Sequence, residues 1–198
     1  MKRTLAAFIY ILLIGITTSA FAGPWQLDAA HSLIGFSVRH LGISNVSGKF
    51  SDYTGTVQAD DQSGKITEVV GTVKATSINT DNEKRDNHLR SADFFDVEKF
   101  PEITTRTHSI TWDGNKFTAI CDLTMKGVTK SVRATGEMTG VETLKYGPTL
   151  QRRAGYTLSA KINRFDFGLN WSKTTEAIAI VGDTVTINID AEIFRPIQ

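Results

Sequence analysis

The sequence has a single cysteine, few prolines and no excess of charge of either sign, and each shortage excludes a class of protein. With only Cys121 available, the chain cannot form an internal disulfide or a multi-cysteine zinc or iron–sulfur site. Four prolines argue against a proline-rich linker, and a formal net charge of +1 gives no support for nucleic-acid binding. What is present is an ordinary globular composition, 40% hydrophobic and 22% charged, in 198 residues that suit one domain with a substantial core.

The short motifs that mark common catalytic and metal sites are also missing. Four histidines are present, but they form neither an H-E-x-x-H motif nor an i, i+4 pair, so no metal ligands are predicted. There is no G-x-S-x-G turn and no glycine-rich phosphate loop. Asp28, His31 and Ser32 are residue types found in triads, but neighbouring strand residues point to opposite faces, which places His31 and Ser32 poorly for direct proton transfer. We therefore predict no catalytic residues, no obligatory cofactor and no enzymatic activity.

The first 22 residues have the pattern of a secretory signal peptide. Two basic residues precede an apolar run from 5 to 16, and an A-x-A pattern follows at 20–22. Cleavage after Ala22 is predicted, which leaves residues 23–198 as the mature domain. A retained membrane anchor is the alternative, but the apolar run is shorter than the roughly 20 residues that a membrane span needs. The mature domain is therefore expected to be exported.

Alternation of apolar and polar residues dominates the mature chain. Residues 185–193 are the clearest case, with apolar side chains at every second position. Similar alternation predicts further strands over 34–40, 53–59, 66–76, 103–112, 117–125, 128–138 and 156–162. Only 81–92 has helical character, with Asp81 or Asn82 as its N-cap. About eight strands with short turns at 113–115 and 126–127 predict an all-β fold, either an antiparallel barrel or a sandwich.

A single antiparallel eight-stranded barrel with one short helix is the favoured prediction, because closure leaves no strand edge exposed. Such a barrel encloses a space that side chains fill or that one small ligand occupies. The positions of inward parity are rich in Phe, Val, Ile, Leu and Met, and the pattern alone favours neither a filled core nor a pocket. Cys121 shares the parity of Phe117 and Leu123, so it is interpreted as a buried small hydrophobic residue on a strand.

Four groups of residues, in the same order along the chain, resemble the YceI-like proteins. They are DAAHS, IGFSVRH and VSGKF at 28–32, 34–40 and 46–50; RDNHLRSADFFDV at 85–97 with FP at 100–101; LTMKGVTK at 123–130; and INRFDFG at 162–168. The resemblance spans essentially all of 23–198. It implies a lipocalin-like barrel that holds a long polyisoprenoid chain in its lumen, in a family with many exported bacterial members that are periplasmic in Gram-negative organisms. Together with the signal peptide, this resemblance makes the periplasm the expected location, or the outside of the cell if the host lacks an outer membrane. Isoprenoid quinones, polyprenyl compounds and, for some relatives, fatty-acid derivatives are the ligands it implies.

This resemblance makes the lumen the predicted binding site. Burial gains about 25 cal/mol per Å² of apolar area, so a prenyl chain needs no charged partner there. The candidate lipid-binding residues are Phe36, Val38, Phe50, Phe94, Phe95, Phe117, Ala119, Leu123, Phe167, Trp171, Ile187 and Ile189. The candidates for a polar rim or a structural network are Asp28, His31, Arg164 and Asp166.

The predicted function is that of an exported binding protein for a polyprenyl lipid or isoprenoid quinone, used in carriage, storage or sensing. Two alternatives stay open: an enzyme that acts on such a lipid through a dispersed site, and a ligand-free structural or adhesive β-domain. The expected partners are the apolar lipid and, transiently, a membrane or membrane protein, but not a nucleic acid. The sequence does not predict an oligomeric state.

Overall fold

The computed structural model describes residues 25–171 and 180–197, where the chain forms strands, one α-helix and three short 3-10 helices. The strands are β1 (Trp25–Leu27), β2 (Leu33–His40), β3 (Ser44–Phe50), β4 (Tyr53–Ala59), β5 (Ile66–Lys74), β6 (Ile78–Asn79), β7 (Glu102–Asp113), β8 (Lys116–Met125), β9 (Val128–Tyr146), β10 (Thr149–Asn163) and β11 (Val181–Pro196). Helix α1 spans Glu83–Arg90, and the 3-10 helices span Ala29–His31, Ala75–Ser77 and Arg164–Phe167. The predicted signal peptide, residues 1–22, lies outside the described residues. No helix within 25–171 and 180–197 has the length and apolar character to cross a membrane.

The strands close into an antiparallel barrel of eight long strands, which confirms the predicted fold class. β1 and β2 together form the first long strand, β3 and β4 the second, and β5 and β6 the third. β7 to β11 are the other five, and each of β7 to β10 pairs with the strand that follows it in the chain. β11 pairs not only with β10 but also with β1 and β2, which joins the last long strand to the first. Each long strand therefore has a neighbour on both sides.

The inner face of the barrel carries two clusters of buried apolar side chains, one toward each end. The cluster nearer α1 contains Phe50, Ala75, Ile78, Phe94, Ile103, Met125, Ile162, Phe167 and Leu169. The cluster at the opposite end contains Trp25, Val57, Ile66, Phe117, Ala119, Ala154, Tyr156 and Ile193. Tyr156 contributes to closing that end, since its hydroxyl donates a hydrogen bond to the Gly64 carbonyl. The alternating pattern thus places apolar residues inside the barrel along its whole length.

Helix α1 occupies the connection between β6 and β7 and is shorter than the predicted range 81–92. The Asn82 side chain caps its first turn by accepting a hydrogen bond from the Arg85 N–H at 3.0 Å. Asp81 has a φ of 58° and therefore lies outside the helix. The buried Asp86 carboxylate accepts a 2.9 Å hydrogen bond from the Thr80 N–H, which attaches the helix to the end of β6.

The short turns agree with the sequence-based prediction, but the strands β9 and β10 extend well beyond it. β8 pairs with β7 and β9 across the turns at 113–116 and 125–128, as predicted. The strand predicted over 128–138 continues to Tyr146 in the structure. The strand predicted over 156–162 already begins at Thr149. A register shift next to Gly155 leaves one extra, unpaired residue on β9. Beyond this bulge the inward and outward positions of β9 exchange, and for this reason the apolar alternation did not predict the rest of the strand. β3, over 44–50, is a further strand that the alternation did not predict.

Candidate ligand-binding cavity

A cavity of about 320 Å³ runs inside the barrel. Its wall is almost entirely apolar, built from inward side chains of all eight long strands. At the α1 end it reaches Leu89, Phe94 and Leu169, and at the opposite end it reaches Leu27 and Ile193. The volume falls at the lower end of the roughly 300–1,000 Å³ found for small-molecule pockets. The barrel interior is therefore a lined cavity and not only a filled core.

Ten of the twelve candidate lipid-binding residues line this cavity. They are Phe36, Val38, Phe50, Phe94, Phe95, Phe117, Ala119, Leu123, Ile187 and Ile189. The other two, Phe167 and Trp171, are not part of the cavity wall. Phe167 is buried in the apolar cluster near α1, whereas the Trp171 ring packs against Phe94 and His88 with centroid distances of 5.4 and 5.3 Å. That Phe167 and Trp171 contact a lipid in the lumen therefore stays a prediction, since neither residue lines the cavity.

Several cavity residues were not among the candidates, although the same alternation could have found them. Val69, Gly71 and Val73 line the wall from β5, and Ala134 and Ile162 line it from β9 and β10.

Gly136 on β9 shows how tightly strands and side chains meet inside the barrel. A Cβ at this position would lie 2.4 Å from the Thr157 carbonyl oxygen, so only glycine fits.

Arg164 is the one charged residue among those that line the cavity, and its guanidinium is bound to backbone carbonyls. Nε donates to Gly182 at 3.0 Å, Nη1 to Leu169 and Trp171 at 2.5 and 2.9 Å, and Nη2 to Val181 at 3.1 Å. Burial lowers the pKa of Arg164, and the nearby charge of Asp183 opposes that shift. Arg164 thus joins the 3-10 helix that starts with it to the beginning of β11, whereas its neighbour Asp166 is exposed.

Asp28 belongs to an ion-pair network outside the cavity wall. Its carboxylate accepts a hydrogen bond from the Arg153 guanidinium and lies 3.0 Å from His31 Nδ1. Arg153 also binds Glu192 at 2.5 Å, and its guanidinium carbon lies 4.5 Å from the Tyr146 ring centroid and 5.1 Å from the Phe194 ring centroid. Arg153 is 6% exposed, and a basic residue on a strand gave no sequence signal of such burial. Burial acts to raise the pKa of Asp28, but hydrogen bonds and charges from His31 and Arg153 outweigh it, so the pKa is lowered.

We expect Asp28→Asn to lower the free energy of unfolding by about 1–2 kcal/mol at pH 7, because Arg153 loses one of its two carboxylate partners. A carboxyl with a lowered folded-state pKa stabilises the protein above its unfolded value, near 3.8, and loses that contribution as the pH falls through the folded value. The difference in unfolding free energy between the wild type and Asp28→Asn should therefore be largest at pH 7, and it should disappear as the pH falls below 3.8. Denaturant unfolding at several pH values measures it, and a difference that widens in acid would contradict the assignment.

The side chains that suggested a triad do not assemble into one. His31 Nδ1 contacts the Asp28 carboxylate, as a triad histidine would contact its acid. The Ser32 hydroxyl, however, accepts a 3.0 Å hydrogen bond from the Glu192 backbone N–H instead of contacting His31. Among residues 25–171 and 180–197, no group of three His, Cys, Asp or Glu side chains is placed to hold a metal ion.

Cys121 lines the cavity wall and is half-buried. Burial raises the pKa of its thiol, and the charge of the neighbouring Asp122 adds to this shift, whereas a hydrogen bond with Thr105 opposes it. The thiolate is the reactive form of cysteine, and a raised pKa lowers the fraction of thiolate at neutral pH. Cys121 therefore has the properties of an unreactive residue in the barrel wall.

The fold and the cavity together identify the class of this protein, which is a closed eight-stranded β-barrel with an apolar lumen. The model of the YceI-like domain matches residues 25–193, and the chain belongs to this family. It is 33% identical over 171 residues to protein YceI of Salmonella agona, covering 85% of this chain and 88% of that protein. It is 36% identical over 169 residues to a UPF0312 protein of Photorhabdus laumondii, covering 84% and 86% of the two chains.

Solved structures show the same architecture. The Campylobacter jejuni YceI protein is 31% identical and covers 94% of this chain and 97% of its own, with a TM-score of 0.68. A polyisoprenoid-binding domain from Saccharophagus degradans, implicated in plant cell wall breakdown, is 16% identical and covers 88% and 99%, with a TM-score of 0.60. At that identity the second likeness concerns the fold alone. The resemblance seen in the sequence motifs is confirmed.

Proposed function

We propose that this protein binds a long apolar isoprenoid lipid, a polyprenyl compound or an isoprenoid quinone, in the lumen of its barrel. The observation that carries the proposal is the apolar cavity, whose wall includes ten residues selected from the sequence as lipid-binding candidates. An isoprenoid chain has little to offer a polar site, and contact with an apolar wall releases it from water at about 25 cal/mol per Å². The polyisoprenoid-binding domain of the same fold adds support from outside this chain.

The proposed role is that of a binding protein and not of an enzyme. The wall of the cavity contains apolar side chains, a few hydroxyls, one thiol of raised pKa and one arginine held by carbonyls. A general acid or base needs a titratable group within hydrogen-bond reach of its substrate. The aqueous compartment in which the lipid would be carried, stored or sensed is proposed to be the periplasm. This part of the proposal rests on the pattern of residues 1–22.

The test of the proposed function is extraction of the purified protein with organic solvent, followed by mass spectrometry of the extract. We expect a prenyl lipid or quinone in near-stoichiometric amount, absent from an unrelated exported protein purified through the same steps. Protein that comes out empty is then incubated separately with farnesol, a short isoprenoid alcohol, and with solanesol, a long one, and binding is measured after gel filtration. An empty extract together with no binding of either alcohol would contradict the proposal and leave the ligand-free structural domain.

The same preparation tests the location. Intact-mass measurement of protein released from the cell envelope of the native host should give a chain that begins at Gly23. A chain that retains Met1 in the membrane fraction would instead identify residues 1–22 as an anchor.

Turnover of the bound lipid to a new product, detected in the same extracts over time, would favour the enzyme alternative.

A further inference from the structure

One sector of the cavity wall carries hydroxyl groups and glycines in place of large apolar side chains. Thr105 and Thr107 lie two positions apart on the inward face of β7, and both line the cavity. Thr105 pairs with Gly71 on β5, which in turn pairs with Gly55 on β4. We call Gly55, Gly71, Thr105 and Thr107 the glycine–threonine niche. It makes the lumen wider and more polar at this point.

The glycine–threonine niche lies midway along the lumen. On β7 it is flanked by Ile103, which belongs to the apolar cluster near α1, and by Ile110, which packs against the cluster at the opposite end. On β5 the flanking residues Val73 and Val69 divide between the two clusters in the same way. The niche therefore interrupts the apolar lining between the two clusters.

The Thr107 hydroxyl is fixed in position and keeps a proton to donate. Its Oγ1 accepts a 2.9 Å hydrogen bond from the Val69 N–H, just beyond the last paired residues of β5 and β7. A hydroxyl has one donor and two acceptor sites, and the Thr107 proton has no acceptor among the described residues. Thr105, in contrast, shares a hydrogen bond with the Cys121 thiol. A ligand that brings an acceptor to Thr107 therefore gains an interaction that a hydrocarbon cannot make.

Other polar side chains of the cavity wall are bound to the backbone. The Tyr53 hydroxyl donates to the Ser32 carbonyl at 2.6 Å, and Tyr156 and Arg164 also donate to carbonyls. The Ser32 hydroxyl resembles that of Thr107, because it accepts a 3.0 Å hydrogen bond from the Glu192 N–H and keeps its own proton. Ser32 is therefore the competing hydroxyl donor within the lumen.

Glycine at position 55 is required neither by the backbone nor by packing. Gly55 is not among the glycines of positive φ. A Cβ at this position would lie 3.4 Å from its nearest neighbour, the Val70 carbonyl oxygen, which is an ordinary contact distance. Glycine inside a strand lowers stability, and such a position often marks the close approach of a ligand. Gly55 thus lowers stability while it widens the lumen beside the two threonines.

We propose that the glycine–threonine niche binds the ring of an isoprenoid quinone. One carbonyl oxygen of the ring accepts a hydrogen bond from the Thr107 hydroxyl, the ring lies against Gly55 and Gly71, and the prenyl chain extends along the apolar wall. A quinone fits both features of the niche, because its ring is wider than a prenyl chain and its oxygens accept hydrogen bonds without donating any. This assignment rests on the proposed function and narrows it from isoprenoid lipids to quinones.

The test equilibrates delipidated protein with a mixture of two ligands, a ubiquinone with two prenyl units and the hydrocarbon farnesene. The bound amounts, measured by mass spectrometry after gel filtration, give the ratio of the two affinities. The wild type should prefer the quinone. Thr107→Val keeps the shape of the side chain without its hydroxyl and should lower the ratio about five- to tenfold. Thr107→Ser keeps the hydroxyl and should restore most of the preference.

The second variant, Gly55→Ala, places a methyl group in the niche and should also lower the ratio. Its melting temperature should stay the same or rise, because alanine has room there and restricts the unfolded chain. The matched control is Gly140→Ala, at an exposed glycine of β9 where a Cβ would meet no atom within 4 Å. Thr111→Val, at an exposed position of β7, is the control for the loss of a hydroxyl. Both controls should leave the ratio unchanged.

Failure of the niche and failure of the proposed function give different results. Wild-type protein that binds both ligands without preference would overturn the niche and leave the proposed function intact. An unchanged ratio in folded Thr107→Val and Gly55→Ala would also overturn it. A loss of preference in Ser32→Ala but not in Thr107→Val would place the ring at the other hydroxyl and contradict the assignment. Protein that binds neither ligand, nor farnesol, would contradict the proposed function itself.

Discussion

Replacing Ala119 with phenylalanine will shift ligand preference from long toward short isoprenoid chains by about tenfold or more. Ala119 is buried, lies in the cavity wall and pairs with another small residue, Ala134, so the lumen has space at this point. A phenyl ring would occupy a substantial part of a cavity of about 320 Å³ while keeping it apolar. Each methylene group of the ligand that is excluded forfeits about 0.8 kcal/mol, and tenfold corresponds to only about 1.4 kcal/mol.

The measurement compares solanesol with the short alcohol farnesol for the wild type, Ala119→Phe and the outward control Thr118→Phe. Thr118 is the preceding residue of the same strand and does not line the cavity. Overpacking costs typically 1–3 kcal/mol, so thermal unfolding must first show that each variant is folded. Val38→Phe, toward the α1 end, is the second filling variant. Unchanged chain-length preference in both folded filling variants would contradict binding in the lumen.

Ionic strength separates a lumen site from a charged surface site. Because no screened ion pair holds an uncharged prenyl chain, affinity for solanesol should barely change as salt is raised. An affinity for solanesol that collapses with salt would place the ligand outside the barrel.

Replacing Arg164 with methionine will lower the free energy of unfolding by roughly 3–5 kcal/mol. Arg164 is 2% exposed, and its guanidinium donates hydrogen bonds to four backbone carbonyls from two segments of the chain. Each buried carbonyl left without a partner costs about 1–3 kcal/mol, and local relaxation that admits water keeps the total below the sum. For a domain of this size the melting temperature should fall by about 10 °C.

The control for Arg164→Met is Asp166→Asn, since Asp166 belongs to the same 3-10 helix but is exposed. It should change stability by less than about 0.5 kcal/mol. Arg164→Lys should recover only part of the loss, because an ammonium group cannot reproduce the planar arrangement of donors that reaches four carbonyls. A loss below about 1 kcal/mol for Arg164→Met would show that the carbonyls find other partners.

Alternation predicted the barrel because the inner face of a strand is defined locally, by every second residue. Most lumen residues follow the same rule, as Phe36 and Val38 on β2 or Ile187 and Ile189 on β11 show. Phe167 departs from it because it lies in a 3-10 helix, where the two-residue period no longer assigns a face. The rule also could not distinguish a cavity from a filled core, since both need the same apolar parity.

The Asp28 network shows what local patterns miss. Asp28 and His31 were candidates, but Arg153 and Glu192, which complete the network, are 125 and 164 positions from Asp28 in the chain. Only the pairing of β11 with β10 and β1 brings these side chains together. A basic residue that follows Gln151 and Arg152 in a strand predicts exposure, and the burial of Arg153 follows from tertiary contacts that the strand itself does not encode.

The way in which β11 closes the barrel has a consequence for how the chain matures. β11 pairs with β10 on one side and with β1 and β2 on the other, so it completes both ladders at once. Until residues 181–196 are in place, β10 and the first long strand each present unpaired N–H and C=O groups, which can recruit a second chain. A newly made or refolding molecule therefore stays prone to self-association until its C-terminal strand docks. Joining the first strand to the last also means contacts across almost the whole sequence, and pairing between such distant segments is intrinsically slow.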